Sequence, residues 1–237
     1  MIFNFERRPS DSPYIEAIWH NRSENGGRFI SAAVGHWGMV VTRLKGKTSI
    51  TVRGPETRAT PAYCPPEAEH YGIFFKVGTF MMHLPGIDLR DGAITLPEAS
   101  GRSFWLKGSA WQYPEYDDLE AFVERLAREG LVVCEPVVED LYHRHVKDLS
   151  PRSVQRRFLR ATGLTRGAAS QIARARNATI LLQGGTSILE TVNQAGYSDQ
   201  PHLTRSLKHY IGQTPAQLLC NRGAEQLSFL FKTTLPG

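Results

Sequence analysis

Between residues 28 and 53 the chain runs in short stretches rich in Val, Ile, Thr and Phe, interrupted by Gly35, Gly38, Gly46 and Gly54. That is the pattern of successive strands joined by tight turns. Residues 71–77 supply a further strand, and the cluster Pro61, Pro65 and Pro66 predicts a loop crossing between strands. At Pro114 the period changes. Tyr116, Leu119, Phe122, Val123 and Leu126 fall at helical spacing, and Gly130 suits the end of that helix. Beyond Leu131 no long strand pattern returns, and residues 137–146, 151–162, 167–183, 188–195 and 200–211 all read as helices. The pattern predicts a two-domain α+β chain: residues 1–131 β-rich with a closing helix, residues 132–223 all-helical, and residues 224–237 a tail.

Composition narrows the class. The 237 residues are 41% hydrophobic and 22% charged, an ordinary globular balance. The longest apolar runs fall far short of the ~20 residues that a membrane helix needs. The first residues, Met1-Ile-Phe-Asn-Phe-Glu6, have neither a basic start nor an apolar core, so a cytoplasmic location is expected. Cys64, Cys134 and Cys220 stand far apart, which suggests neither a disulfide framework nor a zinc knuckle.

Charge separates the halves. Residues 1–132 carry 15 basic and 16 acidic side chains, net −1, whereas residues 133–237 carry 13 and 7, net +6. Within residues 150–222 the balance reaches net +8, with ten basic residues against Glu190 and Asp199. A compact segment this positive points to a polyanionic partner.

The same segment contains a repeat. Ser150 to Gly163 and Asp199 to Gly212 share one design at a constant offset of 49 residues. Ser150 and Asp199 are good N-caps, and Pro151 occupies the first helical position, where its missing N–H costs nothing. Val154 with Phe158, and Leu203 with Leu207, stand four apart and form a buried stripe. The opposite face carries Arg152, Gln155 and Arg156 in the first copy and Gln200, His202, Thr204 and Arg205 in the second. Arg can donate twice to guanine O6 and N7, Gln can pair with adenine N6 and N7, and a helix fits the major groove. Residues 188–199 before the second copy give a helix, a turning Gly196 and a new cap, the signature of a helix-turn-helix.

On these residues, segment 150–219 resembles the DNA-binding domain of the AraC/XylS-type transcription regulators, two helix-turn-helix units joined by a long helix. The resemblance rests on Arg156 with Phe158, Thr162-Gly163, Arg174, Ala178, Leu181-Leu182, Gly196-Tyr197, Arg205 and Gly212-Gln-Thr-Pro215. It implies base reading by Arg152, Gln155 and Arg156 from one helix and by Gln200, His202 and Arg205 from the other, with Arg160 and Lys208 on phosphate. Leu203, Leu207 and Leu218-Leu219 depart from the family pattern, as do Arg144 and Asp148 around the helix that should brace the first unit.

In that family the other domain commonly binds a small effector or a second subunit, and the β-rich half resembles its cupin-like barrels. Double-stranded DNA is therefore the expected partner, with a small-molecule effector, a second copy of the chain and RNA polymerase as further partners left open by the resemblance. The competing class is a cupin-like enzyme with an accessory DNA-binding domain. A metal cupin needs clustered His and Glu, but His20, His36, His70 and His83 form no HxH pair followed by Glu, and Cys64 has no general base at a readable spacing. No catalytic residue, metal or cofactor is expected. Aromatic residues (Trp19, Trp37, Trp105, Trp111, Tyr63, Tyr71, Phe74, Phe75 and Phe80) are abundant enough to line a ligand pocket or to fill the core.

Overall fold

The computed structural model describes residues 4–84, 86–138 and 149–220. Its first half is built from β1 (Asn4–Arg8), β2 (Ile15–Ser23), β3 (Gly27–Ser31), β4 (Gly38–Leu44), β5 (Lys47–Arg53), β6 (Thr60–Cys64), β7 (Ala68–Phe75), β8 (Thr79–Met81), β9 (Ala93–Thr95), β10 (Ser103–Leu106) and β11 (Ser109–Gln112). One six-stranded sheet in the order β1-β2-β7-β4-β5-β9 dominates, and β3 pairs with β6 as a separate antiparallel ribbon. The strands at residues 28–53 and 71–77 stand where the apolar runs placed them.

A closed barrel does not form among the described residues: the strands divide into one six-stranded and three two-stranded sheets. Pro61, expected in a loop, lies inside β6 opposite Ile30 of β3. A proline has no N–H to offer a ladder, which confines it to edge positions.

The helix expected after Pro114 is α1 (Leu119–Arg128), which buries Leu119, Phe122, Val123 and Leu126 against the large sheet. Gly130, at φ +67°, ends its last turn. A three-residue strand, β12 (Val132–Cys134), follows and pairs with β8. Three residues are too few for alternation to reveal, so this strand left no readable pattern.

The helical half comprises α2 (Pro151–Thr162), α3 (Arg166–Gln183), α4 (Ile188–Gln194), α5 (Gln200–Tyr210) and α6 (Pro215–Cys220). Of the helix expected over residues 137–146, residues 139–146 lie outside the described residues, and with them Arg144 and, beyond the helix, Asp148. The tail from residue 221 lies outside them too.

The 49-residue repeat reappears as three-dimensional equivalence. Ser150 accepts from Ser153 N, and Asp199 accepts from His202 N, each capping its helix at the same position. Both helices then end in a glycine of positive φ, Gly163 at +72° and Gly212 at +82°. Their C-terminal carbonyls, which no helical N–H can reach, are met by donors from the β-rich half. Trp37 Nε1 donates to the Ala161 carbonyl at 3.1 Å. Ala33 N donates to the carbonyl of Tyr210, the position equivalent to Ala161, at 2.7 Å, and Ala59 N donates to that of His209 at 2.8 Å. Phe158 and Ala161 belong to the same buried cluster as Trp37, Ile73 and Phe80, so α2 is part of the core of the β-rich half.

The two terminal glycines sit tight against this junction. A Cβ at Gly163 would stand 2.5 Å from the Gly86 carbonyl oxygen, and one at Gly212 would stand 2.7 Å from Ile30 Cγ2, whereas Gly46, at φ +77°, has open space around it. Gly163→Ala and Gly212→Ala should each lower the stability of the full chain by about 1–3 kcal/mol, more than Gly46→Ala, with urea denaturation as the measurement. Equal losses at all three positions would mean that the junction is looser than described.

Candidate nucleic-acid interface

The second unit is assembled by short-range bonds. Ser187 and Glu190 form a reciprocal capping box at the start of α4. Gly196, at φ +69°, turns the chain, and Asp199 opens α5. Tyr197 is buried in the turn with its hydroxyl 2.9 Å from Ser206 Oγ. Arg174, from the middle of α3, lies 4.4 Å from the centre of the Tyr197 ring and donates to the Gly196 carbonyl. The linker helix thus braces the turn that aims α5. Leu203 and Leu207 are fully buried with Leu182, Ile211 and Leu218.

This packing turns the opposite face of α5 outward. Gln200 and Arg205 are exposed, as is Lys208. His202 is partly covered, 3.1 Å from Ser198 Oγ through Nδ1 and edge-on to Tyr197. Of the expected base readers it is therefore the one held in a fixed position.

On α2 the buried stripe is Val154 and Phe158, and Arg152, Gln155 and Arg156 are exposed. They line a groove of about 600 Å³ between the first turns of α2 and α3, together with Ser150, Thr165 and Arg166. Arg166 was counted in the basic segment but assigned no role in the sequence. It begins α3 beside the capping Thr165, and only the turn at Gly163 and Leu164 brings it to the first turns of α2.

The net +8 of the segment is not one continuous basic surface. Arg157 and Arg160 both pair with the carboxylate of Glu135, at 3.5 and 3.0 Å, and Glu135 is almost fully buried. Arg160, expected on phosphate, also lies over the Phe80 ring and belongs to the junction with the β-rich half in this arrangement. Burial pulls the Arg176 guanidinium down to about 10, with the nearby positive charge of Arg7 adding to the effect and Glu16 opposing it. Arg174 is committed to the turn. The basic side chains that remain exposed on the recognition side are Arg152, Arg156, Arg166, Arg205 and Lys208. Among the described residues, Arg152, Gln155, Arg156, Gln200, Arg205 and Lys208 make no side-chain hydrogen bond or ion pair.

In the β-rich half, strand alternation puts the neighbouring Glu69 and His70 on opposite faces of β7. Glu69 bonds His20 at 3.0 Å and Arg43 at 3.3 Å on one face of β7. His70 meets Thr42 and Cys64 on the other, and Glu67 sits in a turn at φ +54°. No group of three or more His, Cys, Asp or Glu side chains that could hold a metal ion occurs among the described residues. No described helix is long and apolar enough to cross a membrane.

Residues 147–220 match a family model described as a helix-turn-helix domain. The segment is an AraC-type helix-turn-helix domain, the DNA-binding module of transcription regulators, and it follows a β-rich region. Among solved structures, the chain is similar to ToxT from Vibrio cholerae at 1.65 Å resolution, with 9% identity over 93% of this chain and 98% of that one and a TM-score of 0.39. It is also similar to a single-residue variant of apo ToxT from Vibrio cholerae strain SCE256, with 8% identity over 93% and 97% and a TM-score of 0.36. No curated protein matches the sequence.

Arg156→Ala and Arg205→Ala are each expected to relax base preference at separate positions of a bound duplex, at about 1–3 kcal/mol per lost bidentate contact. Lys208→Ala should weaken all sequences alike. Affinities for a panel of single-base variants provide the measurement, and a uniform loss with Arg156→Ala would remove that residue from base reading.

Proposed function

We propose that this chain is a sequence-specific transcription regulator that reads two unlike DNA segments with one polypeptide. The observation that carries this reading is the pair of equivalently capped helices, α2 and α5, each presenting unpaired long donors outward. Arg152, Gln155 and Arg156 read one segment, and Gln200, His202 and Arg205 read the other. Lys208 holds phosphate, and the exposure of Arg166 beside the groove supports the same role for it. Arg160 joins them on phosphate once DNA competes with Glu135. Residues 132–223 form the DNA-binding domain, and residues 1–131 carry control, through a small ligand or through pairing with a second copy. Contact with RNA polymerase follows from the same class of protein.

The spacing supports two groove segments. The 18 residues of α3 span about 27 Å at ~1.5 Å per residue, and successive major-groove segments repeat about every 34 Å, or ~10 base pairs. The sideways offset of the recognition helices from the α3 axis supplies part of the difference. Bending the duplex supplies the rest at a cost of a few kcal/mol. Because the two helices offer different donors, the site within one chain's footprint is asymmetric.

Selection of duplexes from a random pool by the full chain, followed by footprinting, tests this. Two different protected segments about 10 base pairs apart are expected, with affinity that falls steeply as salt rises through release of counterions. Protection of a single segment of about 5 base pairs would show that α2 does not read DNA.

A further inference from the structure

Both faces of the six-stranded sheet are covered. Alternate residues of β2, β4 and β7, among them Ile18, Met39, Val41, Tyr71 and Ile73, enter the core that α1 closes. Their neighbours, including Trp19, Asn21, Val40, His70 and Phe74, face the other way, where the β3–β6 ribbon stands across them through Phe29, Ser31, Ala62 and Cys64. Between ribbon and sheet is a cavity of about 210 Å³, with exposed Tyr63 at its rim. An apolar cavity of about 150 Å³ holds one benzene ring, so this one has room for a ring with a short substituent or for two small fused rings.

The walls are mainly apolar, and their ionisable groups offer no unpaired charge. Burial, assisted by the positive charge of Arg176, holds the His36 imidazole down to about 3. Burial also lowers His70 and raises the Cys64 thiol. All three groups are neutral near pH 7. The carboxylate of Glu56 accepts from Ser31 Oγ at 2.9 Å and pairs with Arg53 at 2.7 Å. A charged ligand would lose its hydration here without gaining a counter-charge. Two acceptors remain. Asn21 is 1% exposed and its Oδ1 has no hydrogen-bond partner. His36 Nδ1 faces the Trp37 carbonyl at 3.3 Å and so carries the ring proton, which leaves Nε2 as an acceptor.

The outer side of the same ribbon holds the second recognition helix. Ile30, between Phe29 and Ser31 in β3, packs against Gly212 just beyond the end of α5. The amides of Ala33 and Ala59, on the chain flanking β3 and β6, donate to the Tyr210 and His209 carbonyls. One pleated ribbon therefore has the cavity on one face and α5 on the other, and the side-chain period of two links them residue by residue.

We propose that this cavity binds a small, neutral, mainly apolar molecule bearing a hydrogen-bond donor, and that the β3–β6 ribbon passes its occupancy to α5. The second clause rests on the DNA-binding reading above; the first does not.

Calorimetric titration of the full chain with indole, which is neutral and carries one N–H donor, tests the site, with benzoate as an anionic control of similar size. Saturable binding of one indole per chain is expected, with benzoate at least tenfold weaker. Ala62→Phe, from the ribbon, and Val40→Phe, from the sheet, should each weaken indole at least tenfold by filling the space. Asn21→Leu should do so by removing an acceptor. Thermal melts of the variants establish that each is folded. Absence of saturable indole binding, equal binding of benzoate, or unchanged indole binding by folded variants with the cavity filled would overturn the site.

The coupling is tested on a duplex selected as above. Saturating indole should change its affinity at least threefold and slow hydrogen exchange at the Ala33 and Ala59 amides. Ile30→Ala should keep indole binding and lose the effect on DNA. No change in DNA affinity or amide exchange with indole bound would overturn the coupling. Failure to bind any duplex, with indole still bound, would instead count against the DNA-binding reading.

Discussion

The last carbonyls of a helix have no partner within it, and in this protein α2 and α5 each have such carbonyls met by donors from the β-rich half. Ala161 and Tyr210, 49 residues apart and equivalent in the repeat, accept from Trp37 Nε1 and Ala33 N. A buried indole N–H needs an acceptor as much as a helix end needs a donor, so the Trp37 bond meets two requirements at once. The glycines that follow, Gly163 and Gly212, let the chain pass within contact distance of Gly86 and Ile30. The arrangement anchors α2 and α5 by their C-terminal ends and leaves Arg152, Gln155 and Gln200, on or beside their capped first turns, exposed.

The two anchors differ in kind. At α2, Phe158 and Ala161 are members of the large core, so its orientation is tied to the packing of Trp37, Phe80 and the sheet. Deleting a buried Phe costs about 3–5 kcal/mol in cores generally, which makes this anchor stiff. At α5, the contact is made by backbone bonds, by Ile30 on a two-stranded ribbon that no other strand flanks among the described residues, and by the small side chains Ala32 and Ala33 just after it. Two-stranded ribbons are marginal by themselves, and the softer of the two anchors is the one whose far side faces a cavity.

The distribution of arginines follows from the same geometry. Arg157, Arg160, Arg174 and Arg176 occupy helix positions that face neighbouring elements, and Glu135, Tyr197 and the β-rich half absorb them. Glu135, the carboxylate that Arg157 and Arg160 share, is almost fully buried, and such a group is tolerable only with partners of this quality. What is left for a polyanion is a smaller set of exposed side chains: Arg152 and Arg156 on α2, Arg166 at the start of α3, and Arg205 and Lys208 on α5.

Much of this was legible along the chain because its causes are local. A cap, a period of 3.6 and a terminal glycine specify a helix wherever they occur together, so α2, α3, α4 and α5, the repeat and the outward donors could be placed from residues alone. The strands between Gly27 and Arg53 were equally plain. The polar residues within β2 broke the apolar run, because Asn21 and Ser23 are buried on a face that lines a cavity rather than on one that meets solvent. The open sheet, the β12 pairing, the seat of Arg160 on Glu135, the approach of Arg166 to α2 and the ribbon between cavity and α5 all join residues distant in sequence. Nothing in local composition encodes which distant strand or helix will meet a given face; that was decided by how the two halves bury their apolar stripes against each other.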